Sequence, residues 1–349
     1  MFKTKHKTPA FSVVLHKSQK EITHKLNNRL ISLELEDNRG FTADTLNLNL
    51  SDHDGKLAFP KRGEKLEVSL GWQGEALTPK GIYLVDEVSY QGSPDVLTIR
   101  AKSADLMGDL ASGKERSFHD KTIGQIVEQI AQENKLIPHV GDDFKNQKVG
   151  HIDQNAESTI NFLSRLAQEH DAIATVKQDK LLFTRAGECK TASGKPLPKM
   201  IIQRNSGDGF SFTLSENTNY TEVVAYYHET ASGKRGKVSV KAKQEKGKEE
   251  KENTSVTSDS KKVKTIRHTY KSKQAAQNAV KRALSKVERG KATFSITLAE
   301  GRAELFPELP VEVRGFKAEI DGTEWLIVKV NHKLDGNGFT TSLELEIKI

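Results

Sequence analysis

The chain has 349 residues, 35% of them hydrophobic and 29% charged, a length that predicts two or three domains with room for sizeable cores. No apolar run approaches the ~20 residues needed to span a bilayer, and the basic start, residues 1–9, leads into no apolar stretch. Neither direct membrane insertion nor a secretory leader is therefore expected. A single cysteine, Cys189, excludes an intrachain disulfide framework and a cysteine zinc cage, and suits a reducing compartment.

The first third reads as strands. Ile31, Leu33 and Leu35 alternate with Ser32, Glu34 and Glu36; Leu46, Leu48 and Leu50 with Asn47 and Asn49; Leu66, Val68, Leu70 and Trp72 with Glu67, Ser69 and Gly71. Each is a period-2 pattern with one buried face. Gly55, Pro60, Gly63, Gly74, Gly81 and Gly92-Ser93-Pro94 mark turns. Between Ile82 and Tyr90 the parity slips at Val85-Asp86, which a bulge explains.

In the middle the period changes. Ile123, Ile126, Val127 and Ile130 fall at helical spacing, opened by a capping box at Thr122 and Gln125. A second helix is predicted over 157–170, with Ile160, Leu163 and Ala167 on one face. A hairpin turns at Gln178-Asp179, and residues 187–198, rich in Gly, Pro, Lys and Ser, form an exit linker.

Between Lys234 and Lys264, eleven basic residues stand against five acidic ones, six of the chain's seven net positive charges. This stretch has no Leu, Ile, Phe, Tyr or Trp to bury, so a flexible, solvated loop is expected. A basic arm for nucleic acid is the competing reading. The interleaved acids and the lack of aromatics for base stacking count against it. A helix over 272–289 carries Ala276, Val280, Ala283, Leu284 and Val287 along a stripe. Strands return with Phe294, Ile296 and Leu298, and close with Phe339, Thr341, Leu343, Leu345, Ile347 and Ile349 on one face.

The two β regions echo each other. Phe59-Pro60, Glu67-Val68, Gly71-Trp72, Tyr83-Leu84-Val85 and Val88 recur in order as Phe306-Pro307, Glu312-Val313, Gly315-Phe316, Trp325-Leu326-Ile327 and Val330. Duplication of one β domain predicts the organisation: residues 1–110 as the first copy, 111–198 as an inserted α+β domain of two helices and a hairpin, and 199–349 as the second copy. The fold class is α+β, mainly β.

Catalytic motifs are missing. There is no His-Glu-x-x-His, no paired Cys/His spacing, no Gly-x-Ser-x-Gly and no phosphate-binding glycine loop. Asp52-His53-Asp54 and Asp142-Asp143 read as polar turns rather than metal or acid–base clusters, and His228-Glu229 lacks a second histidine at the right spacing. Glu67, Asp86 and Glu312 are the carboxylates a glycosidase would pair, with nothing in the sequence to bring them together. Cys189 has no base beside it.

Four blocks carry a resemblance: Leu30-Ile31-Ser32-Leu33-Glu34-Leu35-Glu36-Asp37 followed by Asp44-Thr45-Leu46-Asn47-Leu48-Asn49-Leu50-Ser51-Asp52; Gly81-Ile82-Tyr83-Leu84-Val85-Asp86 with Ile99-Arg100-Ala101-Lys102-Ser103-Ala104; Ala156-Glu157-Ser158-Thr159-Ile160-Asn161-Phe162-Leu163-Ser164-Arg165-Leu166-Ala167; and Gly338-Phe339-Thr340-Thr341-Ser342-Leu343-Glu344. In order and spacing they resemble the phage late control D family over nearly the whole chain.

The resemblance implies a structural baseplate hub of a contractile phage tail, with two tube-like β-barrel domains and no catalytic, metal or cofactor-binding residues to carry over. It implies a homotrimer set between the tail tube protein and the central spike protein. The tape measure protein is a further candidate partner, and DNA is only transiting cargo. The expected location is the virion's tail baseplate, after assembly in the bacterial host cytoplasm. A pore lined by neutral or acidic side chains, with the Lys-rich loop outside it, would suit DNA passage. The alternatives are the hub of a tailocin or related contractile injection system, a polyanion-binding protein using the Lys-rich arm, and a tail-associated cell-wall hydrolase.

Overall fold

The computed structural model describes residues 7–61, 63–103, 109–177, 179–191, 194–215, 220, 222–229, 233–241, 263–270 and 273–349. The described residues are 53% strand and 19% helix, so the fold is α+β and mainly β. The first β region comprises β1 (Pro9–Leu15), β2 (Lys20–Glu21), α1 (Thr23–Leu26), β3 (Leu30–Asn38), β4 (Thr45–Ser51), β5 (Lys65–Trp72), β6 (Thr78–Gln91) and β7 (Val96–Ser103). The insert follows as β8 (Gly113–Thr122), α2 (Ile123–Glu133), β9 (Ile137–Val140), α3 (Asp142–Lys145), β10 (Lys148–Ser158), α4 (Thr159–His170), β11 (Ala172–Lys177) and β12 (Lys180–Arg185). The second β region opens with β13 (Met200–Gln203) and β14 (Gly207–Leu214). It departs through β15 (Glu222–His228), β16 (Arg235–Lys241), β17 (Val263–Tyr270) and α5 (Lys273–Arg289). It resumes with β18 (Ala292–Leu298), β19 (Pro310–Arg314), α6 (Ala318–Asp321), β20 (Trp325–Asp335) and β21 (Gly338–Ile347).

The two β regions repeat one strand order. Neighbours run β3-β4-β7-β6-β5-β1 in the first and β14-β18-β21-β20-β19-β13 in the second. Registers agree residue by residue. Val88 lies opposite Ile99 and Ile99 opposite Leu48; Val330 lies opposite Leu343 and Leu343 opposite Ile296. Two bulges also recur. Asp86 is extra between Val85 and Glu87, as Val328 is between Ile327 and Lys329. Ile31 is extra between Leu30 and Ser32, as Asp208 is between Gly207 and Gly209. A bulge bends a strand and sharpens its twist, so matched bulges give the two sheets the same local shape. The repeats differ at the last strand: β1 runs antiparallel to β5, whereas β13 runs parallel to β19.

β20 also pairs antiparallel with β3, which makes the two repeats one 13-stranded sheet. Each has its own core, Leu33, Leu46, Leu48, Val68, Leu70 and Tyr83 in the first and Phe294, Ile296, Val311, Trp325 and Leu345 in the second. The insert packs α2 and α4 against β9, β11 and β12 around Ile126, Ile130, Phe162, Leu166 and Phe183. The Thr122–Gln125 capping box and the hairpin across Lys177 and Lys180 are present.

Several expectations change. Ile31 is the bulged residue of β3 and points out, 45% exposed, so it leaves the stripe of Leu33 and Leu35. The helix expected at 157–170 starts at Thr159, because the Ser158 side chain accepts the Asn161 N–H and β10 runs up to it. The insert holds more than two helices and a hairpin: β8 pairs with β10, and β9 runs parallel to β12. The helix expected at 272–289 is α5. It packs on β15 and β16 with a small core of its own, Val223, Ala225, Val238, Ala276 and Val280.

The flexible loop expected at 234–264 is the largest correction. Its first part is β16 and its last two residues begin β17, because Val238 and Val240 alternate among the lysines and Val238 is buried. Only residues 242–262 fall outside the described residues. They hold six basic and five acidic side chains, so nearly all of the local positive charge belongs to Lys234, Arg235, Lys237, Lys241 and Lys264.

Candidate assembly interface

The joint between the repeats is built from β20 and β3, paired from Lys329 opposite Asn38 to Asp335 opposite Ser32. On the inner face, Leu33 and Leu35 are fully buried, with Val330 and His332 beside them. On the outer face, Lys329 pairs with Glu36 at 2.8 Å and Asn331 Nδ2 donates to Glu34 at 2.9 Å. The first core also takes in Ala303, Leu334 and Phe339 from the second repeat. Trp72 Nε1 donates to the Gly301 carbonyl at 2.9 Å, and the Trp72 ring lies 5.4 Å from that of Phe339. Gly301 is required here, since a Cβ on it would sit 2.5 Å from the Phe339 ring.

Two half-buried charge networks brace this joint. Lys177 of the insert reaches Asp37 at 3.1 Å and also bonds Asp44, both in the first repeat. Burial pushes the Asp44 carboxyl up, with the Asp37 charge adding to it. Burial alone would lower Lys177, but the two carboxylates outweigh it and hold the ammonium above its usual value. Lys80, buried nearby and lowered by desolvation, donates to the carbonyls of Ala303 and Leu305 at 3.1 and 3.3 Å. In the second network Arg39 lies 2.5 Å from both Glu308 and Glu346, its Nε facing Glu308 without hydrogen-bond alignment. Glu308 accepts the Gly187 N–H, and Arg289 joins Asp171 of the insert to Glu346. Burial raises Glu308 despite Arg39. One constellation thus ties α5, the insert and both repeats together.

Besides its margins at β1–β2 and at β13, the sheet has two uncovered edges among the described residues. From Glu87 to Gln91, β6 has β7 on one side and no strand on the other; β14 has only β18. Apolar side chains gather there. Tyr90 is 44% exposed and stacks edge-on with exposed Phe59, while Phe210 is 47% and Leu214 64% exposed.

The sequence-derived candidates do not converge. Asp54 forms a bidentate pair with Arg29 at 2.7 Å, which holds its carboxyl far below the usual range, and buried Asp52 accepts the Leu57 N–H, so this cluster is a polar turn. Asp142 bonds Lys145 at 2.8 Å and Asp143 pairs with Arg185 at 3.0 Å. His228 ends β15 and sits beside Glu229 alone in sequence. Glu67 bonds His16, Asp86 pairs with Lys102 at 2.7 Å, and Glu312 bonds Arg314 at 2.6 Å, each on a different strand. Cys189 donates to the Gly187 carbonyl at 3.2 Å, and burial pushes its thiol up, away from a nucleophilic thiolate. Among the described residues no group of three His, Cys, Asp or Glu is placed to hold a metal ion, and no helix is long and apolar enough to cross a membrane.

Sequence reasoning missed the joint and the two open edges. Their only signal is the echo itself, which implies two copies but not where they touch.

The model of one family, described as phage tail baseplate hub (GPD), matches residues 44–338. A probable baseplate hub protein of Escherichia phage 186 is 45% identical across 98% of this chain and 93% of its own length. Another, of Escherichia phage P2, is 41% identical across 98% and 94%. In fold the chain is similar to a tail protein from Neisseria meningitidis MC58, with a TM-score of 0.68 at 15% identity over 97% of this chain and 96% of that one. The chain, with its duplicated sheet, belongs to the phage tail baseplate hub family, whose members are structural components of the virion tail rather than enzymes.

Proposed function

We propose that three copies of this chain form a collar joining a six-subunit tail tube to a three-subunit central spike. The observation that carries this reading is the duplication: one strand order, one register and two matched bulges occur twice in one polypeptide. Three such chains present six near-equivalent β units toward the tube while remaining three-fold toward the spike. Phe59-Pro60 and Phe306-Pro307 support it, since both rings are exposed just ahead of equivalent strands and would offer six like contacts. The domain limits near 110 and 198 fit this reading, with the insert held on the outside of the ring. The shared sheet suits a part that must stay rigid while a sheath contracts, and DNA would pass through the ring as cargo. Sedimentation of the full chain, alone and co-expressed with the spike protein, tests it. The expected mass is three times 38.8 kDa, about 116 kDa. A stable monomer under both conditions would sink the collar.

A further inference from the structure

The joint inside the chain predicts the joint between chains. β20 and β3 are equivalent, by strand order and register, to β6 and β14. Inside the chain, β20 of the second repeat pairs with β3 of the first. The remaining two equivalents, residues 87–91 of β6 in the first repeat and β14 in the second, each lack a partner on the corresponding side among the described residues.

We propose that the free half of β6 in one copy pairs antiparallel with β14 of the next copy, in the register that β20 and β3 use. The proposal rests on the trimer reading above and names its contact surface. Within the chain, Val330 faces Asp37, Asn331 faces Glu36, His332 faces Leu35 and Lys333 faces Glu34. Transferred by the shared registers, Val88 faces Leu214, Ser89 faces Thr213, Tyr90 faces Phe212 and Gln91 faces Ser211 of the neighbouring copy.

Burial supports the assignment. His332 and Leu35 are fully buried at the internal joint, while their counterparts on the open edges include the exposed Tyr90. Phe210, the counterpart of buried Leu33, is likewise open, and Leu214 beside it is the most exposed large apolar residue of the chain's described part. An uncovered strand edge with apolar side chains is a template for pairing, and the complementary edge lies on the same molecule. Because the two edges lie on opposite repeats, each copy donates one and receives one. Such a head-to-tail contact closes into a ring when the rotation allows.

Cysteines test the register. Directly opposed residues in an antiparallel ladder are about 4.5–5.5 Å apart at Cα, within disulfide range. Ser89 and Thr213 are both exposed, on the outer face. In a Cys189→Ser background, the full chain carrying Ser89→Cys and Thr213→Cys should oxidise to a covalent trimer. The pair Ser89→Cys with Leu214→Cys, slipped by one residue onto opposite faces, should crosslink at least tenfold less. Leu214→Asp should weaken trimerisation at least tenfold without lowering the melting temperature of the monomer. A protein that sediments as a trimer but fails to crosslink at 89 and 213, or ignores Leu214→Asp, overturns this edge and leaves the trimer standing. A monomer without crosslinks, with or without the spike protein, overturns both.

Discussion

At the scale of single residues, the joint is guarded by side chains that cannot change charge cheaply. His332 is buried beside Leu35, and desolvation holds its imidazole well below the ordinary value. His170, at the end of α4, accepts from Gln147 at 2.9 Å in the neutral form, and burial, with the Arg282 charge behind it, lowers it to about 4. Both folded values lie below the unfolded one, so the unfolded chain takes up the proton first as the pH falls. The stability contributed by neutral His170 is therefore present above pH ~6.5, declines below that, and is fully lost near pH 4. The loss amounts to about 3 kcal/mol at about 1.4 kcal/mol per unit. Urea unfolding between pH 7 and 4 should show a shallower pH dependence in His170→Gln than in the native chain. Identical slopes would mean that His170 titrates normally. Arg39 guards the joint differently. With Glu308 buried against it, Arg39→Ala should cost about 3–5 kcal/mol, because it strands a buried carboxylate. An unchanged urea midpoint would show the pair to be dispensable.

At the scale of elements, composition proved the poorest guide where charge and strand coincide. β16 is an edge strand of the sheet β16-β15-β17, and its exposed Arg235, Lys237 and Lys241 alternate with Gly236, Val238 and Val240. Lysines on an edge discourage further strand pairing, which gives the basic cluster a role that needs no nucleic acid. Register also bounds what residues 242–262 must do. Lys241 and Val263 both lie opposite Glu222, on its two sides, so the ends to be bridged are about 10 Å apart. Replacing 242–262 by six Gly and Ser residues should leave the melting temperature within about 2 °C and heparin binding unchanged. Loss of heparin binding would revive the polyanion reading. β8 and β10 escaped the sequence pattern for a related reason. As a two-stranded pair they bury Phe118 and Ile152 and little else, too thin a periodic signal to read.

At the scale of the whole molecule, the repeats share a sheet and part of a core, so they should unfold together. The chain has two tryptophans, Trp72 in the first repeat and Trp325 in the second. In the variants Trp72→Phe and Trp325→Phe the remaining tryptophan reports one repeat at a time. The two fluorescence midpoints in urea, each compared with the circular dichroism midpoint of the same variant, should coincide with it. A fluorescence transition that departs from the far-ultraviolet one would show that the joint is a loose contact.

The sequence by itself determined the clearly alternating strands β3, β4, β5, β18 and β21, the order of the echo, the bulge at Val85-Asp86, the capped helix at Thr122 and the family, because these are written in local periodicity and in residue order. It could not decide which edges meet. Leu33 and Leu35 of β3 alternate with polar residues just as Phe210 and Phe212 of β14 do, yet the first pair is sealed by β20 while Phe210 stands open. Period-2 patterning specifies a face and is silent about the neighbour along the sheet, since backbone hydrogen bonds pair any strand with any other. Only the tertiary arrangement, with Lys177, Arg39 and Arg289 tying the insert and α5 to the joint, chose one pairing and left its counterpart free.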